Sequence, residues 1–291
     1  MNKISILAIA LMLSSSAIAQ KKPERQMDKS LIDSKIEQSF AKKNMTPMDL
    51  WNLSRVSAEG ITNDGRTLVY GVSNYSLESN KSEKNLFTVN MQSGKTSQLT
   101  HDLGGESVVK IEANGDVIYS HKGQLWKKNV NGTDAVQLTD VPDGLENVVF
   151  SPDGKYILFS KAVLLKTYHS PNKFEDLPKS NMFIYDDLEY RHWDTFNDGK
   201  FNHPFVATYD NGKIGEPIDL LGDQPFYSPQ APFGGAEDFV WSPDSKSVLY
   251  VCKKKFGKEY ATSTNTDIYK YELASKQTTN ITEGMMGYDT N

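Results

Sequence analysis

"FSPDGKYILFS", residues 150–160, is the stretch on which the fold turns. A tight-turn signal is followed at once by a nearly unbroken apolar strand. A near-copy, "WSPDSKSVLYV", occupies 241–251, and weaker echoes, "ITNDGRTLVYG" and "EANGDVIYSH", begin at 61 and 112. The Asp-Gly or Asn-Gly pair supplies the positive φ that a hairpin turn requires. Pro152 and Pro243 preset the first corner of their turns.

A second motif follows the first: strand, turn, strand. It reads "NLFTVNMQSGKTSQLT" at 85–100, "QLWKKNVNGTDAVQLT" at 124–139 and "DIYKYELASKQTTNIT" at 267–282. Each copy ends in Leu-Thr or Ile-Thr. Together the two motifs make a unit of about four antiparallel strands. Gly65 and Gly115 stand 50 residues apart, and Gly115 and Gly154 stand 39 apart. Such a period with four strands per unit marks a β-propeller blade, each blade burying both faces against its neighbours. A β-sandwich of similar hairpins is the competing arrangement, and the matched Leu-Thr endings favour blades. The predicted class is all-β, a partial β-propeller of about four four-stranded antiparallel blades over residues 46–291. Closed propellers usually need more blades than that, four being the lower limit, so the ring is expected to be incomplete, with exposed edges that invite self-association.

Between Gly154 and Ser245 the pattern breaks. Residues 162–235 read as a long loop insertion around one or two strands, "FVATY" (205–209) among them. Long loops in a compact repeat usually carry function. Ahead of the repeats, "TPMDLWNLSRVS" predicts a short helix capped by Thr46 with Pro47 at its first position. Leu50, Trp51 and Leu53 are expected to pack inward.

Residues 1–19 are expected to be a signal peptide: Lys3, an apolar run from Ile4 to Leu13, then an Ala17-Ile18-Ala19 cut. The apolar run is about half of the ~20 residues needed to span a bilayer. The mature protein is therefore expected in the periplasm or outside the cell, with no membrane span. Residues 20–45 read as a flexible, polar lead-in. The net charge of −5, from 32 Lys+Arg against 37 Asp+Glu, offers no basic surface for nucleic acid. Cys252 is the single cysteine, so no intrachain disulfide forms, and it is expected to be a buried, inert thiol.

No G-x-S-x-G nucleophile elbow, P-loop or G-x-G-x-x-G occurs. The histidines are His101, His121, His169, His192 and His203, none paired with another His or Cys at zinc spacing. No metal and no cofactor are expected. His101 and His121 end repeat strands and are expected at the surface, and His203, before Pro204, is placed in a loop. The richest polar constellation is "LEYRHWDTFNDG", 188–199, where Arg191, His192, Trp193 and Asp194 stand together beside Glu189 and Tyr190. It reads either as a rim that binds a charged end of a substrate or as an Arg–Asp pair and a Trp that pin a loop. A second candidate is "GGAEDFVWSPDS", 234–245. In an extended strand Glu237 and Asp238 point to opposite faces, so at most one faces a cavity. Their other reading is solvated edge charge.

"LSRVS", "LFTVN", "FSPDGKYILFSK", "YRHWD", "HPFVA", "EDFVWSPDS", "STNTDIY" and "ITEGMMGYDT" together resemble the N-terminal propeller of the dipeptidyl peptidase 5 group in the prolyl oligopeptidase family of serine peptidases. The resemblance covers nearly all of residues 46–290. It implies an exported enzyme that removes dipeptides from peptide N-termini, with the propeller lying over an α/β-hydrolase domain that carries the catalytic triad. The propeller would filter peptide substrates by size and help to hold the free amine. No catalytic residue can be carried over, because the triad belongs to the hydrolase domain, which is missing from this chain. Substrate-binding candidates are Arg191, His192, Trp193, Asp194, Glu237 and Asp238. The alternative is a free-standing periplasmic propeller, similar to the TolB type, that binds peptide or protein without chemistry. A glycosidase propeller would need two facing carboxylates, and no such pair can be assigned.

Overall fold

The computed structural model describes residues 44–290 apart from Leu103, Thr133, Trp193 and Asn211. The signal peptide expected at 1–19 and nearly all of the lead-in lie outside the described residues. The chain opens with helix α1 (Pro47–Asn52). Thr46 and Asp49 close its N-terminus as a capping box, with Pro47 in the first turn. Leu50, Trp51 and Leu53 do not pack inward as expected; they are exposed. A six-residue helix has only one inward side, and here that side carries Asp49, whose carboxylate accepts from Thr46 N (2.8 Å) and Thr46 Oγ1 (2.7 Å).

Four antiparallel sheets follow in chain order. The first holds β1 (Arg55–Ile61), β2 (Thr67–Ser76), β3 (Lys81–Asn90) and β4 (Thr96–Gln98). The second holds β5 (Glu106–Ile111), β6 (Asp116–His121), β7 (Gln124–Asn129) and β8 (Val136–Gln137). The third begins with β9 (Glu146–Phe150) and β10 (Tyr156–Leu164). A long connection then carries helix α2 (Ser170–Lys173) and a small hairpin, β11 (Arg191–His192) with β12 (Thr195–Phe196). The sheet resumes with β13 (Lys200–Asp210), β14 (Lys213–Ile214) and β15 (Ile218–Asp219). The fourth holds β16 (Phe239–Trp241), β17 (Ser247–Cys252), β18 (Asp267–Glu272) and β19 (Gln277–Asn280), with helix α3 (Lys258–Thr262) between β17 and β18.

The stretch 162–235 is thus only partly irregular. Residues 200–219 supply strands to the third sheet, and the loops are 165–199 and the segment after Asp219. The 91-residue gap from Gly154 to Ser245 is one expanded sheet rather than two units.

The repeated turn has one chemistry. Thr62, Ser151 and Ser242 each donate a side-chain hydroxyl to the Asp two residues on: Asp64 (2.6 Å), Asp153 (2.7 Å) and Asp244 (2.7 Å). Each Asp also accepts the backbone N–H two residues further on, from Arg66, Lys155 and Lys246. The left-handed corner is Gly65 (φ 68°), Gly154 (φ 72°) and, without glycine, Ser245 (φ 60°). The Leu-Thr endings also have a common cause. Thr100 Oγ1 accepts Leu86 N–H (2.8 Å), Thr139 accepts Leu125 N–H (2.8 Å) and Thr282 accepts Ile268 N–H (3.0 Å). In the third sheet the matching position is Pro204, which has no N–H to satisfy. Leu220 N still donates to Pro204 O (3.0 Å), as Leu99 N does to Leu86 O (2.8 Å), but Leu221 stands where the threonine would be.

Successive sheets pack face to face, which is why their second strands are apolar on both sides. On β6, Val117 and Tyr119 join Val69, Leu86 and Leu99 of the first sheet, while Ile118 joins Ile157, Phe159 and Tyr209 of the third. On β10, Ile157 and Phe159 face the second sheet, while Leu158 joins Trp241, Val248 and Tyr250 of the fourth. The first strands β1, β5, β9 and β16 meet in sequence along one edge of the stack. Trp241 Nε1 donates to Val149 O (3.1 Å), and Asp153 N donates to Ser245 Oγ (3.1 Å), linking third and fourth sheets. Cys252 lies in the core, its thiol pushed up to about 12 by burial, as expected of an inert cysteine. Among the described residues no helix is long and apolar enough to cross a membrane.

Candidate functional site

The irregular segments converge at one end of the third and fourth sheets. The connection between second and third strands is short in the first two sheets, 77–80 and 122–123. It expands to 165–199 in the third and 253–266 in the fourth. Gly199 closes the base of the larger insertion. Its N–H donates to Asn197 Oδ1 (2.9 Å), and its carbonyl accepts Leu165 N (3.0 Å) and Lys166 N (3.1 Å). With φ at 88° and Lys166 O against the position of any Cβ, only glycine fits there.

Aromatic rings hold the insertion. Tyr185 packs on Tyr168 (centroids 4.8 Å) and Tyr190 (5.6 Å), and its hydroxyl donates to Asn197 O (2.6 Å). Tyr227 stacks near Phe201 (4.8 Å) and meets Tyr260 edge-on (6.0 Å). Two clefts lie against these rings. One, of about 250 Å³, is lined by Glu189, Arg191, His192, Phe196, Tyr227 and Tyr260. The other, of about 340 Å³, is lined by Tyr168, Tyr185, Glu189 and Phe256, among others. Glu189 is common to both.

Glu189 differs from its neighbours. It is half-buried, its φ is 65°, and burial pushes its carboxyl up to about 7, an effect that the Lys253 ammonium partly offsets. Lys253 donates to Tyr260 O (2.7 Å) and lies over the Tyr260 ring at 3.9 Å. Burial of Lys253 lowers its pKa. Burial also raises the hydroxyl pKa values of Tyr227 and Tyr260, so both rings stay neutral donors.

The candidates read from sequence are partly brought together. Arg191 and His192 form β11 on the rim of the smaller cleft. The Arg191 guanidinium lies over Phe196 at 5.3 Å, and the His192 ring meets Phe233 at 6.4 Å. Asp194 is at the exposed hairpin tip and accepts from Thr195 Oγ1 (3.4 Å). Trp193 lies outside the described residues. Glu237 and Asp238 are not in an extended strand; they form a 3₁₀ turn, Ala236–Asp238. There Glu237 is exposed, and buried Asp238 accepts Gln230 N (2.7 Å) through Oδ2. Asp238 thereby anchors the loop that carries Ala231 and Pro232 into the cleft wall. Gln230 continues the chain of contacts by donating to Tyr260 Oη (2.8 Å).

Two histidines depart from expectation. His203 lies in β13, not a loop, fully buried with Nδ1 at 2.9 Å from Asp219 Oδ2. His121 is buried at the end of β6, on the face that Val117 and Tyr119 turn to the first sheet, with its ring against Gly104. Glu189, Tyr227, Lys253 and Tyr260 were not among the sequence candidates. In "LEYRHWD" nothing local separates Glu189 from Asp194; only burial does.

Antiparallel sheets of four or five strands, stacked in chain order with insertions gathered at one end, make a propeller-type fold. The fold is similar to that of Pyrococcus horikoshii acylaminoacyl peptidase (TM-score 0.52, 13% identity, 80% of this chain and 33% of that one). It is equally similar to an acylaminoacyl peptidase in complex with Z-Gly-Gly-Phe-chloromethyl ketone (TM-score 0.53, 13% identity, 80% and 33%). No protein-family model matches the chain. By sequence it is 38% identical over 253 residues to dipeptidyl-peptidase 5 of Porphyromonas gingivalis, covering 85% of this chain and 37% of that protein. It is 34% identical over 261 residues to dipeptidyl-peptidase 5 of Porphyromonas endodontalis, covering 87% and 37%. The chain is similar to these dipeptidyl-peptidase 5 proteins and spans a little over a third of their length.

Proposed function

We propose that residues 46–291 are the non-catalytic propeller part of an exported dipeptidyl-peptidase-like serine hydrolase. Its four sheets are four blades of an incomplete ring, and it admits peptides by size and anchors their free amine. The observation that carries this reading is Glu189: a half-buried carboxyl shared by two clefts, walled by Tyr227 and Tyr260. Arg191 and His192 line the rim, Asp194 stands exposed at the hairpin tip beside it, and Asp238 holds the wall through Gln230. An incoming ammonium favours the ionised carboxylate. A charge-assisted bond there is worth roughly 1.5–3 kcal/mol, or about ten- to a hundredfold in affinity.

The incomplete ring is supported by the two outer faces. The first sheet turns Leu68, Tyr70, Phe87 and Val89 away from the second, all of them half-buried. The fourth turns half-buried Leu249 and Ile268 away from the third. By contrast, the second strands of the inner sheets are buried on both faces: Val117, Ile118 and Tyr119 on β6, and Ile157, Leu158 and Phe159 on β10. The partner that completes the enzyme is an α/β-hydrolase domain, which supplies nucleophile, base and oxyanion hole.

Calorimetry with a short peptide bearing a free N-terminus, against its N-acetylated form, tests the reading. Binding of the free amine only, weakened by Glu189→Gln, is expected. Equal binding of both peptides overturns it. Turnover of dipeptidyl substrates by this chain, abolished by a serine-directed inhibitor, overturns the non-catalytic assignment. Export predicts a mature periplasmic or secreted chain that begins at Gln20, read by N-terminal sequencing.

A further inference from the structure

Where the first sheet hands over to the second, three potential ligands gather that play no part in the clefts. Glu106 opens β5 and His121 ends β6, and the two are direct cross-strand partners. Glu106 is fully buried and His121 is 5% exposed. Glu106 Oε2 is fixed by Asn85 Nδ2 (3.1 Å) and Thr100 Oγ1 (3.1 Å). Its other oxygen, Oε1, and His121 Nδ1 are buried without a hydrogen-bond partner. They face each other at 3.5 Å, beyond the usual N–H···O range of about 2.7–3.2 Å. Asp102, on the exposed loop, brings a third ligand, and the ligand atoms of all three lie within 4.8 Å of one another.

We propose that Asp102, Glu106 and His121 bind a divalent cation, Zn²⁺ in the first instance, that clips the 101–106 connection to the end of β6. Carboxylate oxygen and imidazole nitrogen bind zinc at about 2.0–2.2 Å, which sets ligand atoms of a tetrahedral site roughly 3.3–3.6 Å apart. The Oε1–Nδ1 separation matches that edge. Asn85 and Thr100 play the orienting role that outer hydrogen bonds play for metal-binding carboxylates. Asp102, at the surface, gives the ion a path in and leaves a fourth position for water. The sequence reading expects no metal because no His pairs with a second His or Cys. Here one His is completed by two carboxylates from a neighbouring loop and strand, and these outnumber the nearby Lys122 ammonium.

The test is equilibrium dialysis of the metal-stripped full chain against micromolar Zn²⁺, with elemental analysis and thermal melts. One Zn²⁺ per chain and a raised Tm are expected in the wild type. Asp102→Asn and Glu106→Gln each weaken uptake at least tenfold. Asp102 is exposed, so Asp102→Asn keeps the wild-type far-ultraviolet circular dichroism and isolates the binding effect from folding. No stoichiometric uptake by the wild type overturns the proposal. So does uptake by Asp102→Asn equal to that of the wild type.

Discussion

Thr100 Oγ1 accepts the backbone N–H of Leu86 at 2.8 Å, across 14 residues of sequence. The same bond, at the same separation in sequence, joins Thr139 to Leu125 and Thr282 to Ile268. It answers a local need: the third strand outruns the short fourth strand, and its next buried N–H would otherwise have no acceptor.

Thr139→Val therefore costs about 1–3 kcal/mol, the penalty of a buried donor left unpaired. The converse change, Leu221→Thr in the third sheet, brings no gain, because Pro204 offers no N–H to accept. Urea denaturation of the two variants measures both. A neutral Thr139→Val contradicts the account of the repeat.

Gly199→Ala forces a side chain into Lys166 O at a left-handed backbone position. The insertion 165–199 is expected to loosen while the four sheets persist. Limited proteolysis reads this as new cuts within 165–199, and calorimetry reads it as lost peptide binding. Unchanged cleavage means that the insertion does not depend on this closure.

Glu189 sets a pH dependence. Its folded pKa, about 7, lies above the ordinary value of 4.5, so the folded chain binds more protons between those values. Its contribution to stability is complete below pH 4.5 and is lost as pH rises through 7. Glu106 is also raised to about 7 by burial and acts in the same direction. The difference between wild type and Glu189→Gln isolates Glu189: relative to the variant, the wild type falls in urea midpoint from pH 5 to pH 8. A parallel pair of profiles refutes the assignment.

Asp238 and Glu237 are expected to separate. Asp238→Ala leaves buried Gln230 N–H without its acceptor and costs about 1–3 kcal/mol, with weaker peptide binding as the Ala231–Pro232 wall moves. Glu237→Ala, at an exposed position, stays within about 0.5 kcal/mol of the wild type. Thermal melts and calorimetry on both variants check this.

The repeat determined much of the architecture by itself. Turn pairs such as Asp64-Gly65 and Asp153-Gly154, doubly apolar strands such as "YILF" and the Leu-Thr endings are local signals. Backbone geometry and strand period depend on a few adjacent residues, so antiparallel four-stranded units were legible in one dimension. The resemblance of "YRHWD" and "EGMMGYDT" to the dipeptidyl peptidase 5 group was legible for the same reason. Burial depends on what the rest of the chain lays over a residue, and only the tertiary structure decided it. It exposed Leu50 and Trp51, buried His121 and His203, and set Glu189 rather than Asp194 between two clefts. It also brought Asp102, Glu106 and His121, separated in sequence, within reach of one another.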